Sequence, residues 1–467
     1  MSFFIYDITF LVVFGLFIFI FLYTRRKNLK REGIAFLYRT QLGVKIIDYI
    51  GRKYGKFLRV LSYFVIAFGY LAMFAMLYLL YQTVIIFFKF PEFIRAIKIP
   101  PLAPLIPYLP QLFKADYLPV FYFTYWIVVL AIVAIVHEFS HGIFARLANI
   151  RIKSTGFAFF GPFIGAFVEP DEKQMKNARK KDQLAILAAG TFSNAVLTVL
   201  FFFIFWLFFS LAYAPSGVMF NTYTYDFVSK NNITSIGENI QINFDGGLNL
   251  TEVKAGNKTY FMPTESLEKI DSINVSQQIY VYADTPALKA GLKGVIIKIN
   301  GYRVNNNEAL KKELLKYQPG DKITITMFDI ENKNNRDYEI ILAENPKNKS
   351  IPYIGITMVT QQGSIIGKVK STLMFFRDPN TYYAPKFTPD FIEFIYYLLW
   401  WITFINFSVA LANMLPAWIF DGGRFFYITI LAIVKKEKIA KKIMKISNYI
   451  ILLTFLLLMV LWAFAFL

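Results

Sequence analysis

Residues 121–141 read FYFTYWIVVLAIVAIV followed by HEFSH, that is, an apolar run from Phe121 to Val136 and then His137-Glu138-Phe139-Ser140-His141. These are the only 2 histidines in a chain of 467 residues. On a helix the i, i+4 spacing stacks both imidazoles on one face, about 6 Å apart, where they can grip one metal ion. Glu138, next to the first candidate ligand, can reach a water on that ion and take its proton. On a soluble surface an HExxH match carries little information. Inside an apolar segment, three ionisable groups cost several kcal/mol unless they are partnered, so they mark a functional site. The competing reading is a helix end that carries polar residues at the membrane surface.

Composition supports a membrane setting. Hydrophobic residues make up 56% of the chain and Phe alone contributes 51 residues. Several apolar runs reach the roughly 20 residues that cross a bilayer. The expected fold class is a polytopic α-helical membrane protein with about six spans and an inserted extracytoplasmic α/β domain. The net charge of +19 does not point to nucleic acid, because the basic residues cluster beside the apolar runs as orientation signals do. The first run is followed by TRRKNLKR, the reverse of a cleavable signal, so it is expected to remain as an anchor. With no cysteine, thiolate ligands are excluded. A zinc site must complete its set with carboxylates or water.

The spans are expected at about Ile8–Tyr23, Leu61–Phe88, Pro119–His141, Leu184–Tyr213, Phe391–Leu415 and Asn448–Leu467. Between the first two, FLYRTQLGVKIIDYIGRKYGKFL spaces apolar residues at helical intervals against basic ones. That suits a helix lying in the membrane interface, or an ordinary linker helix. The loops after the first, third and fifth spans are basic. This predicts a multi-pass cell-membrane protein with both termini outside and the basic loops in the cytoplasm. The third and fifth spans then run in the same direction, from outside to inside.

Two segments fall outside. Phe90–Leu118 carries KIPPLAPLIPYLP, too proline-rich for regular helix. Ala214–Pro389 is long enough for an independent domain and holds N-x-S/T sequons at Asn232, Asn249, Asn257, Asn274 and Asn348. Within it, VIIKI and KITITMF read as strands, Asn300-Gly301 as a tight hairpin turn, and NEALKKELLKY as an amphipathic helix closed by Pro319-Gly320. The stretch from about Tyr280 to Met358 is similar to a PDZ domain of the kind attached to bacterial and archaeal proteases. The resemblance implies a partner, a peptide or a protein's C-terminus added as a strand at a sheet edge, or else a spacer over the site. Residues 221–279 are expected to be a β-rich extension.

Catalytic zinc takes three protein ligands and leaves one position open. The missing carboxylate is expected at Asp421 in Asn413-Met414-Leu415-Pro416-Ala417-Trp418-Ile419-Phe420-Asp421-Gly422-Gly423. There Pro416 interrupts the helix and two glycines permit a tight turn. A bare Asp-Gly-Gly is an ordinary turn, but here it closes a span parallel to the one bearing HExxH.

These residues resemble the site-2 protease family of intramembrane metalloproteases, which joins HExxH on one transmembrane helix to NxxPxxxxDG on a later one. The match covers His137, Glu138, His141, Asn413, Pro416, Asp421 and Gly422, within about Tyr122–Arg424. Ala189-Gly190-Thr191-Phe192-Ser193-Asn194 looks like the family's AGPxxN. Thr191 replaces the usual Pro, Trp418 falls where Pro is common, and Phe420 precedes the Asp-Gly in place of Leu. The resemblance implies one Zn²⁺ held by His137, His141 and Asp421, Glu138 as general base, and Asn194 facing the site. Asn194 or Asn413 can donate to the carbonyl oxyanion, or else serve as a helix–helix hydrogen bond. The implied substrates are transmembrane proteins in the lipid bilayer, with no nucleic acid involved.

The organisation expected is 1–118, a transmembrane hairpin with a basic interfacial segment and Pro-rich outer loop; 119–213, the first catalytic half; 214–389, the extracytoplasmic domain with its PDZ-like unit at about 280–358; and 390–467, the second catalytic half with the last helix. Ile150–Glu172, which alternates glycines with aromatics, is expected to form a re-entrant hairpin. Its edge can hold an unwound substrate, or it can serve only as an interface anchor. Two further functions fit parts of the pattern. One is a catalytically silent scaffold that binds clients through the PDZ-like domain. The other is a metal transporter, which would want several His or carboxylate sites along a path where this chain has one cluster.

Overall fold

Long apolar runs with no water to satisfy their backbone must fold as helices, and they dominate the first part of this computed structural model. It describes residues 3–33, 35–90, 94–95, 98–115, 118–160, 163–242, 248–267, 278–358 and 376–466. The chain divides into two units, residues 1–208 with 393–467, and residues 209–392.

The first unit runs α1 (Phe3–Thr24), β1 (Leu29–Glu32), β2 (Ala35–Thr40), α2 (Leu42–Lys53), α3 (Gly55–Lys89), α4 (Phe123–Leu147), β3 (Ile152–Phe160), β4 (Phe163–Pro170) and α5 (Lys180–Ala212). After the insert it resumes with α6 (Pro389–Ala412), α7 (Asp421–Val434) and α8 (Glu437–Phe464). Among the described residues, α1, α3, α4, α5, α6 and α8 are the 6 helices long and apolar enough to cross a membrane. The protein is a polytopic helical membrane protein.

Three expectations are corrected here. The motif helix does not end at His141; α4 continues to Leu147 and stops only where Asn149 takes a left-handed φ of 60°. The segment FLYRT is a strand, β2, LGVKIIDYIGRK forms α2, and GKFL already belongs to α3. The last helix begins at Glu437, well before Asn448, because KKEKIAKKIMK continues it as an amphipathic polar stem.

Strands β1, β2, β3 and β4 form one antiparallel sheet in that order, with β4 at an edge. The expected hairpin is therefore present, and residues from between the first two spans extend it. Helix α2 lies against α4 through Gly43, Ile47 and Gly51, spaced one turn apart. A Cβ on Gly43 would meet Phe139 Cζ at 2.7 Å, and one on Gly51 would meet Arg146 Cβ at 3.0 Å. From the α4 side, a Cβ on Gly142 would meet Ile47 Cδ1 at 2.8 Å and Val168 Cγ1 at 3.0 Å. The N-terminal half of α4 packs Tyr125, Trp126, Val129 and Val133 against Trp401, Ile402 and Ile405 of α6. The four terminal N–H groups of a helix need partners, yet α4 has no side-chain cap of its own. Asp7 of α1 supplies it. Its carboxylate accepts from the N–H of Phe123 and of Thr124, both at 2.8 Å, from the Thr124 hydroxyl at 2.5 Å, and from the Tyr108 hydroxyl.

The second unit contains a six-stranded antiparallel sheet and a five-stranded one. The strands of these two sheets are β5 (Tyr213–Met219), β6 (Tyr225–Ser229), β7 (Ile233–Ile242), β8 (Leu248–Ala255), β9 (Lys258–Pro263), β10 (Gln278–Ala283), β11 (Val295–Ile299), β12 (Tyr302–Arg303), β13 (Lys322–Asp329), β14 (Asn334–Ile341) and β15 (Thr381–Pro385). The larger sheet has the order β14-β13-β11-β5-β15, with β12 paired to β11, and the smaller has β6-β10-β9-β8-β7. Asn300 and Gly301, at φ 46° and 81°, make the two-residue turn between β11 and β12. The expected amphipathic helix spans Asn307–Leu314. It caps a core of Val218, Ile296, Ile299, Leu310, Ile323 and Ile325. Residues 221–279 hold most of the five-stranded sheet. Its β10 falls at the start of the stretch that resembles a PDZ domain, while β5 and β15, far apart in sequence, complete the larger sheet. Asn232, Asn249, Asn257 and Asn348 are exposed, and Asn274 lies outside the described residues.

Asp7 is 1% exposed, so Asp7→Ala strands several buried donors at once. The expected cost is about 2–3 kcal/mol, read as a lower melting temperature in detergent. Asp7→Asn, which keeps one acceptor oxygen, should lose less.

Candidate metal centre

The α4 backbone places His137 and His141 one turn apart, and the structure brings Asp421 to both. His137 Nε2 and His141 Nε2 are 3.0 Å apart, and Asp421 Oδ2 lies 3.1 Å from the first and 3.2 Å from the second. Ligands about 2.0–2.2 Å from a tetrahedral zinc are about 3.3–3.5 Å from one another. The three atoms therefore need only small adjustment to surround one ion. Among the described residues this is the one group of three or more His and carboxylate side chains so gathered.

The space between them is kept open by glycine. A Cβ on Gly190 of α5 would sit 2.5 Å from His141 Nε2 and 2.6 Å from His137 Nε2. It would occupy the volume that an ion needs. The donor set, two imidazoles and a carboxylate with a fourth position free, is that of catalytic zinc, and the residues present fit the ion.

Each imidazole is oriented from behind. His141 Nδ1 lies 2.6 Å from the Ile186 carbonyl, which can only accept, so Nδ1 carries the proton and Nε2 keeps its lone pair. His137 Nδ1 lies 3.1 Å from the Asn194 amide, through Nδ2, while Asn194 Oδ1 is buried without a partner. A half-turn of that amide sets the oxygen against Nδ1–H, the arrangement a ligating Nε2 requires. Asn194 is fully buried, and its partner is His137.

Asp421 does not sit in a turn, which corrects the expectation. It opens α7, and Gly422 and Gly423 belong to that helix's first turn. Their glycine identity answers close approach. A Cβ on Gly422 would meet the Met414 carbonyl carbon at 2.3 Å, and one on Gly423 would meet the Ala417 oxygen at 2.3 Å. The loop 413–420 folds back on α7, where the Gly422 N–H donates to the Asn413 carbonyl at 2.7 Å. Asn413 thus contributes main chain to the site's framework. Pro416 is buried, and its carbonyl accepts from the Ser447 hydroxyl at 2.9 Å, while the Trp418 N–H donates to Asn448 Oδ1 at 2.9 Å.

Glu138 points to the sheet. Its Oε2 accepts from the Val168 N–H of edge strand β4 at 3.2 Å. The next residue, Glu169, accepts from the Ser154 hydroxyl at 2.7 Å and from Arg39 Nε at 3.0 Å, and Arg39 also reaches Glu32 at 2.8 Å. These contacts cross all four strands. The Ser154 hydroxyl, and after it the Arg39 guanidinium, hold the Glu169 carboxyl below its ordinary range. Its contribution to the sheet is present above the ordinary carboxylate pKa and is lost as pH falls through the lowered one.

This geometry accompanies a family match. The model for Peptidase family M50 matches residues 125–458. The protein belongs to that family. The matched region contains both histidines, Glu138, Asn194 and Asp421. The chain is also similar to an uncharacterized protein of Methanocaldococcus jannaschii, 26% identical over 298 residues that cover 63% of this chain and 54% of that one. It spans about half the length of the curated relative it matches.

No motif of the M50 family marks Val168, Ile186, Ser447 or Asn448, which act through main chain or lie outside the motifs. Asp7 did carry a signal. It is an ionisable residue beside an apolar run, the same anomaly that marks Glu138, but it lies just before the expected first span.

Gly190→Ala should abolish stoichiometric metal binding by the purified protein, because the added methyl occupies the ion's volume. Gly165→Ala, where a Cβ meets nothing within 4 Å, should bind metal as the wild type does. Metal content per protein molecule, measured by elemental analysis, is the readout.

Proposed function

We propose that this protein is an intramembrane zinc metalloprotease that hydrolyses peptide bonds in or near transmembrane segments of membrane proteins. The observation that carries the proposal is the convergence of His137, His141 and Asp421 around the space left by Gly190, with both histidines on a helix long enough to cross a membrane. His137, His141 and Asp421 would hold the zinc, which would supply Lewis acidity toward a carbonyl and a water whose pKa falls from ~15.7 toward ~7. Glu138, adjacent to His137, takes the proton of the attacking water and passes it to the leaving amine. Its Oε2 accepts from Val168, and among the described residues the other oxygen has no hydrogen-bond partner and is left for that transfer. Asn194 fixes His137 from behind, which makes it a positioning residue.

The substrate must present extended backbone, since a helix has already satisfied its own amides. Strand β4 is the acceptor of that backbone in this reading. The Val168 N–H faces away from β3, toward Glu138, so by alternation Ala166 and Ile164 also turn their main-chain groups outward. An unwound segment paired there lies beside the general base. The topology proposed has both termini and the insert outside and the basic loops in the cytoplasm. The PDZ-like stretch within the insert is the proposed binder of a peptide or C-terminus.

Wild type and Glu138→Gln, purified in detergent, should each hold about one zinc, while only the wild type cleaves single-span model substrates. Equal cleavage by both would mean that Glu138 is not the base. Cleavage by neither, across a broad substrate panel, would favour a silent scaffold.

Ala166→Pro removes an outward N–H and leaves the inward β3–β4 hydrogen bonds in place. Cleavage should fall at least tenfold while zinc content stays at the wild-type value. Undiminished cleavage would refute strand pairing at β4.

A further inference from the structure

Helix α2 presents a second face that neither the metal centre nor the sheet uses. Gly43, Ile47 and Gly51 are buried on α4, whereas Leu42, Ile46 and Tyr49 are 79%, 48% and 57% exposed. At about 100° per residue these three lie within about 60° of one another, so they form one apolar stripe pointing away from the protein. Lys45, Arg52 and Lys53 border the stripe and are exposed, and Lys56 follows on the first turn of α3. Among the described residues none of these four makes an ion pair. Asp48 is the acidic residue of the helix, and Arg146 of α4 neutralises it at 2.7 Å.

The position of α2 selects its partner. It connects α1, which ends at Thr24, to α3, which begins at Gly55, and both are membrane-spanning by length and composition. A helix in that connection, with one face seated on α4, carries its exposed stripe at the boundary between lipid and water. Apolar residues there enter the acyl boundary, and adjacent cations meet headgroups. Asp48, Tyr49, Arg52 and Lys53 line an open cleft of about 470 Å³. Lys53 Nζ donates to the Tyr49 hydroxyl at 2.5 Å, which sets its charge over that cleft. Five more cations, Arg25, Arg26, Lys27, Lys30 and Arg31, precede it in the same connection.

We infer that α2 is a docking surface for anionic lipid, with Leu42, Ile46 and Tyr49 in the acyl boundary and Lys45, Arg52 and Lys53 on the headgroup phosphates. This goes beyond the proteolytic reading and does not depend on it.

The protein has no cysteine, so Ile46→Cys gives a unique site for an environment-sensitive fluorophore in the full-length protein. The protein is reconstituted into vesicles of phosphatidylcholine alone or with about a third phosphatidylglycerol. The label is then quenched with a lipid spin-labelled near the headgroup. Quenching should be at least twofold stronger in the anionic vesicles. Lys45→Gln, Arg52→Gln and Lys53→Gln combined should remove the difference. So should 1 M salt on the protein with its charges intact, where the screening length is about 3 Å; that arm does not depend on the triple variant folding. Equal quenching in both vesicle types, or a difference that survives salt, would overturn the inference. Cleavage is not the readout, so an inactive preparation still decides the matter.

Discussion

The first unit is organised around the need to bring three polar ligand atoms within 3.2 Å of one another among helices that are otherwise apolar. Two imidazoles and a carboxylate in such surroundings are tolerated only when each polar atom has a partner. The structure meets this behind both imidazoles. The Ile186 carbonyl receives one imidazole N–H and the Asn194 amide serves the other, while Asp421 faces both Nε2 atoms. The three atoms converge where a Cβ on Gly190 would sit within 2.6 Å of both Nε2 atoms.

Glycine makes that convergence possible, and at several positions it does so by absence of bulk. Gly190 lets α5 approach the histidines, Gly422 and Gly423 let α7 lie on the loop 413–420, and Gly43, Gly142 and Gly51 let α2 and α4 touch. None of these six has a left-handed φ. Small residues at helix contacts let backbones approach closely where lipid supplies little hydrophobic drive. Here the same device also sets the position of a carboxylate.

The general base is tied to a different element. Glu138 accepts from the edge strand β4, and β4 is braced by the Ser154–Glu169–Arg39–Glu32 contacts across the sheet. The side chain that would handle the proton and the strand that would handle the substrate are thus joined by one hydrogen bond. Helix α2 backs both. Ile47 and Val168 meet over Gly142, so the connection between the first two spanning helices buttresses the motif helix and the sheet together.

Much of this was legible in the residues because the relevant physics is local. Apolar run length dictates a spanning helix, i, i+4 spacing dictates that His137 and His141 share a face, and Asn300-Gly301 dictates a two-residue turn. The element boundaries were harder. FLYRT became strand and the motif helix ran on to Leu147, because pairing with β3 and packing against α2 outweighed the local pattern. Sequence alone determined which side groups could hold a metal and that the protein spans a membrane, since those follow from residue chemistry and periodicity. Only the tertiary structure decided that Asn194 backs His137, that Val168 holds Glu138, that Asp7 caps the motif helix and that Gly422 lies in a helix. The first three are contacts between residues 30 to 117 positions apart, and the fourth rests on the loop 413–420 folding back onto α7, so no helical or strand spacing encodes them.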